Sequence, residues 1–188
     1  HQLRTPLTAL KTQLGVLQRQ AGQPPAAALQ AAVRTTDDAV RLTAQLLALT
    51  QAEHSPDLAR RAEVDVVALA RQVTEDHLWR AHQRGDDLGL EVLTPHLRVR
   101  GHAVLLQEAL ANLIDNAMHH GGPGVRITVR VRADGVEVED EGPGIAPEHQ
   151  PHVFERFYRA AAPGVSGSGL GLAIVQEIAR QHGASARV

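Results

Sequence analysis

The chain has no cysteine, a single lysine (Lys11), and only four aromatic rings apart from its histidines: Trp79, Phe154, Phe157 and Tyr158. Without cysteine there is no disulfide framework and no thiolate metal site, which fits a reducing compartment. So few rings give unpaired bases nothing to stack on. The formal charge of -2 and a pI near 6.6 supply no basic field for DNA or for an anionic membrane surface. No run of 18 apolar residues is present, and the start lacks the charged-then-apolar layout of a signal peptide. These absences predict no nucleic-acid partner, no membrane contact by this segment and no export, leaving proteins and small ligands as partners. The scarcity of lysine beside many arginines reads as genomic base composition and carries no functional weight.

What is present is enough for a core. Of 188 residues, 43% are hydrophobic and 21% charged, the balance of a globular chain holding one domain or two small ones, packed from Leu, Val, Ile and Ala. Leu3, Leu7, Leu10, Leu14 and Leu17 alternate steps of four and three along one helical face, and Ala21-Gly-Gln-Pro-Pro25 breaks the helix. A second helix, about 27–54, carries Leu29, Val33, Val40 and Leu47 at the same spacing. An antiparallel hairpin of this kind cannot cover both apolar faces, so a homodimer closing a four-helix bundle is its natural completion, the alternative being a hairpin packed on its own downstream domain. The polar stretch 55–63 reads as a linker. Beyond it, in 64–188, short strands at Val64–Val67 and Asp87–Leu93 flank a helix from Ala68 to Arg84, and a second helix runs from His102 to His120. A hairpin follows, Val125–Val131 and Val136–Asp140 with one wet face, and then a helix from Gly169 to His182. The fold class expected is therefore α+β: a helical hairpin (1–54), a linker, and an α/β sandwich domain. The irregular stretch 141–168 is long for a compact domain, as lids are.

Three patterns carry chemistry. In Asp140-Glu-Gly-Pro-Gly-Ile145 an acid stands beside two glycines, which suits a purine edge approached by backbone. In Gly167-Ser-Gly-Leu-Gly-Leu172 a glycine cluster opens a helix, which suits a phosphate. Asn112 and Asn116 lie one turn apart on a helix, and an Asn carbonyl is a hard neutral oxygen fit for Mg²⁺ that already holds phosphate oxygens. An N-x-x-x-N pair is by itself most often a polar helix face; joined to both glycine clusters it becomes the third wall of a nucleotide site. His1, in His1-Gln-Leu-Arg-Thr-Pro-Leu7, lies about 200° around the helix from the leucine seam, where a neutral imidazole is open to accept a phosphoryl group. His149 and His152, beside Glu148 and Glu155, have a metal-like spacing but lack a visible third ligand, so they read as solvated residues at the start of the lid.

In this order the motifs resemble the catalytic core of the bacterial sensor histidine kinases, a phosphoacceptor hairpin followed by a GHKL-type ATP-binding domain. His1–Pro6 is similar to the phosphoacceptor motif, Asn112–Gly121 to the asparagine motif, and Asp140–Ile145 and Gly167–Leu172 to the two glycine motifs. Phe154–Arg159 resembles the aromatic lid motif. The resemblance implies ATP and Mg²⁺: Asp140 for the adenine amine, Gly142 and Gly144 for close approach, Asn116 for the metal with Asn112 assisting, and Gly167, Gly169, Leu170 and Gly171 for the phosphates. It also implies Arg159 at the γ-phosphate, His1 as acceptor, a response regulator as the phosphate's destination, and Thr5 as the residue orienting water in a phosphatase reaction. The segment would be the cytoplasmic piece of a larger inner-membrane sensor. Two positions depart from the pattern. Gln2 replaces the usual acid after the acceptor, as in a branch similar to sensors of tricarboxylate uptake, and an amide can hold a tautomer but cannot take a proton. His119 stands where Lys or Arg commonly meets phosphate. The alternatives are a GHKL-type ATPase, whose water-activating Glu would stand where this chain has Asn112, and a degenerate, non-catalytic dimerisation module.

Overall fold

The computed structural model describes residues 61–156, 158 and 169–188, all in the second of the two units into which the chain divides, 48–188. The expected helical hairpin with His1, Gln2 and Thr5, most of the linker, Arg159 of the lid motif and Gly167 of the second glycine motif lie outside the described residues.

Strand β1 (Ala62–Asp65) leads directly into helix α1 (Val66–Arg84). Ala62 and Glu63, expected in the linker, pair instead with Gly101 and Arg100. The strand-to-helix boundary also falls two residues earlier than the predicted Ala68. The reason is Asp65, whose carboxylate accepts the Ala68 N–H at 3.0 Å and caps the helix, so that Val66 and Val67 become its first turn. Val66, Leu69, Ala70, Val73 and Ala81 recur at helical spacing and are buried. Gly85, at φ +76°, ends the helix in a left-handed turn that returns its N–H to Ala81 and His82.

The chain continues through β2 (Asp87–Val92), β3 (Arg98–Gly101), helix α2 (Ala103–His120), β4 (Arg126–Arg132), β5 (Gly135–Asp140), one turn of 3₁₀ helix (Gln150–His152) and helix α3 (Gly171–Gln181). β3 pairs antiparallel with β1. β2, β4 and β5 form a separate sheet in that order, β2 parallel and β5 antiparallel to β4. Alternation along β4 divides the sheet. Ile127, Val129 and Val131 are wholly buried against α1 and α2, among Val73, Leu110, Ile114 and Met118. Full burial of such side chains contributes roughly 1.5–3 kcal/mol each. The opposite face is a charge ladder: Arg126 meets Asp87 and Glu141, Arg130 meets Glu91 and Glu139, and Arg132 meets Glu137.

Two polar junctions fix the helices. Arg84 donates to Asp86 and to the Met118 carbonyl, while buried Asp86 accepts the Gly124 N–H at 3.0 Å, so the turns after α1 and α2 are tied together. At the other end of α2, His102 occupies the N-cap but makes no cap bond with its own side chain. His182, just past α3, supplies the acceptor: its Nε2 receives the His102 N–H at 3.0 Å while its Nδ1 donates to the Ile178 carbonyl at 2.7 Å. Gly101 makes room for that ring, since a Cβ there would lie 2.5 Å from His182 Cδ2.

Candidate active site

Helix α2 is the spine of the site. Its inward face buries Leu110, Ile114, Ala117 and Met118, and the next face presents Asn112 and Asn116 one turn apart. Asn112 is buried, at 6% exposure, and its amide nitrogen is spent on Glu108, donating to the backbone carbonyl at 2.8 Å and to Oε1 at 3.0 Å. That fixes the amide so that its carbonyl oxygen faces Gly171, where an added Cβ would sit 3.4 Å away. Glu108 was not singled out in the sequence; its place four residues before Asn112 on one helical face was the available signal. Asn116 is half-buried one turn on, and exposed His119 turns its Nδ1 to the Asp115 carbonyl at 2.7 Å.

Behind Asn116, the neighbouring Asp115 faces α1. There it pairs with Arg80 and lies 3.6 Å from His77 Nε2. His77 Nδ1 bonds to the Val73 carbonyl at 2.7 Å. Burial holds the His77 imidazole below its usual pKa, aided by the Arg80 charge and opposed by the Val73 bond and by Asp76.

The two glycine clusters meet α2 at different points. At its end, Gly121 touches the loop that follows β5. There Gly142 donates its N–H to Asp140 Oδ1 at 3.0 Å, holding the exposed carboxylate over the loop. A Cβ on Gly142 would fall 2.5 Å from both that oxygen and Gly121 Cα, so only glycine fits. Gly144, at φ +72°, turns the loop through a conformation that side chains rarely adopt. At the Asn112 level α3 begins: Gly169 is left-handed at φ +66°, Leu170 is wholly buried at the N-cap, and Gly171 opens the helix. The first-turn N–H groups of such a helix have no partner within it and form an electropositive end. Asn112, Asn116, Asp140, Gly142, Gly144, Gly169, Leu170 and Gly171 are therefore disposed along one helix and the two segments packed on it.

These residues fit a magnesium nucleotide. The Asn112 carbonyl is turned toward the first turn of α3 by the Glu108 clamp, which places a neutral oxygen donor beside a helix N-terminus suited to phosphate. The described part of the expected lid is held by its own contacts: His149 Nδ1 bonds Tyr158 Oη at 2.8 Å, the His152 ring lies 5.4 Å from the Tyr158 ring, and His152 pairs with Glu155. Among the described residues no three His, Asp or Glu side chains gather as metal ligands. A cavity of about 400 Å³ lies between Phe154, Arg156 and α3, with Glu177, Arg180 and Ser185 also lining it, and no predicted site residue borders it.

A layered domain with an asparagine helix, an acid-glycine loop and a glycine-opened helix defines a class, the histidine kinase-, DNA gyrase B- and HSP90-like ATPases, whose family model matches residues 101–188. Residues 1–55 match a second model, the His Kinase A (phospho-acceptor) domain. The chain belongs to the sensor histidine kinases, in which these two domains occur in this order. It is 38% identical over 185 residues to sensor protein QseC of Escherichia coli K12, covering 97% of this chain and 41% of that protein. It is 37% identical over 202 residues to the signal transduction histidine-protein kinase/phosphatase MprB of Mycolicibacterium smegmatis, covering all of this chain and 40% of that one. Among solved structures, the Acinetobacter baumannii histidine kinase AdeS matches with a TM-score of 0.69 at 26% identity, covering 96% of this chain and 86% of that one. The chain thus spans about two fifths of the length of these curated relatives.

Proposed function

We propose that this chain is the catalytic core of a sensor histidine kinase that transfers the γ-phosphoryl group of ATP to His1. The observation that carries the reading is the convergence on α2 of Asn112 and Asn116, the Asp140–Gly144 loop and the glycine-opened start of α3, in a chain whose first 55 residues match a phosphoacceptor domain. Asp140 accepts from the adenine amine through the oxygen not held by Gly142. The backbone amides at Gly169–Gly171 face the phosphates, and Asn116, with Asn112 beside it, holds Mg²⁺. The bound metal supplies charge neutralisation on the phosphates. Arg159 meets the charge that develops as the phosphoryl group moves.

His1 attacks the γ-phosphorus with the lone pair of a neutral ring nitrogen; the N–P bond forms as the bond to the β-phosphate oxygen breaks, and ADP leaves with that electron pair. Gln2 orients the ring but cannot receive its proton, which passes to solvent or phosphate. The phosphoryl group then goes to an aspartate of a response regulator, and Thr5 orients water when the core removes it again. His119 makes a phosphate contact that weakens as the imidazole loses its proton. The core works as a homodimer through the hairpin 1–54, joined by a linker ending at 61 to the ATP-binding domain that begins with β1 at Ala62, as the cytoplasmic segment of an inner-membrane sensor.

Incubation of the full chain with γ-labelled ATP and Mg²⁺ is expected to give an acid-labile, base-stable label. His1→Gln is expected to abolish it while leaving ATP binding intact, and a label that persists in His1→Gln would overturn the assignment of the acceptor.

A further inference from the structure

We infer that Gly121 is a specificity-determining position, setting where the Asp140 carboxylate stands relative to Asn116 and so how well the site tells adenine from guanine. The inference rests on the reading of Asp140 as the adenine acceptor. Gly121 closes α2, returning its N–H to the Ala117 carbonyl at 2.8 Å. It is hemmed in on its own account: a Cβ would lie 2.7 Å from the Ala117 carbonyl oxygen and 2.7 Å from Val125 Cγ2. Its bare backbone is also the surface on which Gly142 rests, with the Gly142 Cβ position 2.5 Å from Gly121 Cα and 3.0 Å from Gly121 O.

The contact is therefore backbone against backbone, with no side chain on either partner to yield. Gly142 in turn holds Asp140 by its N–H, at 3.0 Å. A short rigid series results: the end of α2, Gly121, Gly142, Asp140 Oδ1. Asn116 lies five residues before Gly121 on the same helix. The metal end and the base end of the site are thereby set at a fixed separation. The chemistry read at the base end is directional. Adenine offers an amine where guanine offers a carbonyl oxygen, so a carboxylate in register attracts one and repels the other. A carboxylate displaced from that register loses the attraction and the repulsion together.

The test is the ratio of ATP to GTP affinity, measured by titration calorimetry with Mg²⁺ on the full chain. In Gly121→Ala the added methyl meets Val125 and the Ala117 carbonyl and must push α2's end away from them, moving the backbone on which Gly142 rests. A fall in ATP affinity of about tenfold or more is expected, with GTP affinity changed less and the ratio reduced, which a general loss of packing would not produce. Val125→Ala provides a second route without a clash, because it withdraws the methyls against which Gly121 is set; it is expected to shift the ratio in the same direction. If both variants bind the two nucleotides in the wild-type ratio, the inference is wrong. Should Gly121→Ala fail to fold, the Val125→Ala ratio alone decides. Asp140→Asn separates the two levels: if it too leaves the ratio unchanged, the reading of Asp140 has failed, whereas a collapsed ratio there with an unchanged ratio in the other two removes only the role of Gly121.

Discussion

His77 shows how one half-buried imidazole links the α1–α2 contact to pH. Its pKa is depressed by burial, so the folded state holds its proton less tightly than the unfolded chain does. Stability from this group is whole above the ordinary imidazole pKa of 6.5 and is lost as the pH falls from there through the lowered value, because the unfolded chain then takes up the proton first. Urea unfolding at a series of pH values below about 7 is expected to show a shallower acid decline for His77→Gln than for the native chain. Parallel declines would dismiss the role. Glycine is the other residue type that decides matters locally. At Gly142 any side chain meets a carboxylate and a backbone, so Gly142→Ala is expected to weaken ATP binding at least tenfold while circular dichroism stays native. Unchanged affinity would show that the loop can yield.

At the scale of elements, α2 and the β4–β5 hairpin were legible because each has a long, unambiguous period: Leu110, Ile114, Ala117 and Met118 at helical spacing, and Ile127, Val129 and Val131 at spacing two. Strand β3 was not. Arg98-Val-Arg-Gly is too short to show a period, and it exists because β1 lies beside it. The start of α1 is hidden for a related reason, since Val66 and Val67 favour strand and only the Asp65 cap turns them into helix. The site's motifs were visible as residue types, and Glu108 left only its helical spacing to Asn112, whereas Gly121 and His182 act through contacts with segments far apart in sequence and leave no local mark. The His182 junction can be tested as a unit. His182→Ala removes the external cap of α2 and is expected to cost about 1 kcal/mol. Gly101→Ala, which drives a methyl into the ring, is expected to destabilise the native chain but to cost much less in the His182→Ala background. Additive costs would mean that the two sites do not meet.

At the scale of the whole molecule, the proposed kinase needs two things from the chain: a dimer through 1–54 and a nucleotide domain that stays single. Sedimentation equilibrium is expected to give twice the chain mass of 20.2 kDa, and a species of one chain mass at micromolar concentration would count against the bundle. The charge ladder bears on the second need. In the three-stranded sheet the arginines all stand on the middle strand, while both outer strands carry acids on that face, Asp87 and Glu91 on one side and Glu137 and Glu139 on the other. Each arginine is already paired with at least one acid of an adjacent strand. A second copy offering β2 or β5 would set carboxylates against carboxylates, since neither of these strands carries a cation. In the proposed dimer, where the local concentration of identical domains would be high, this polarity would disfavour edge-to-edge pairing of β2 or β5 with its copy.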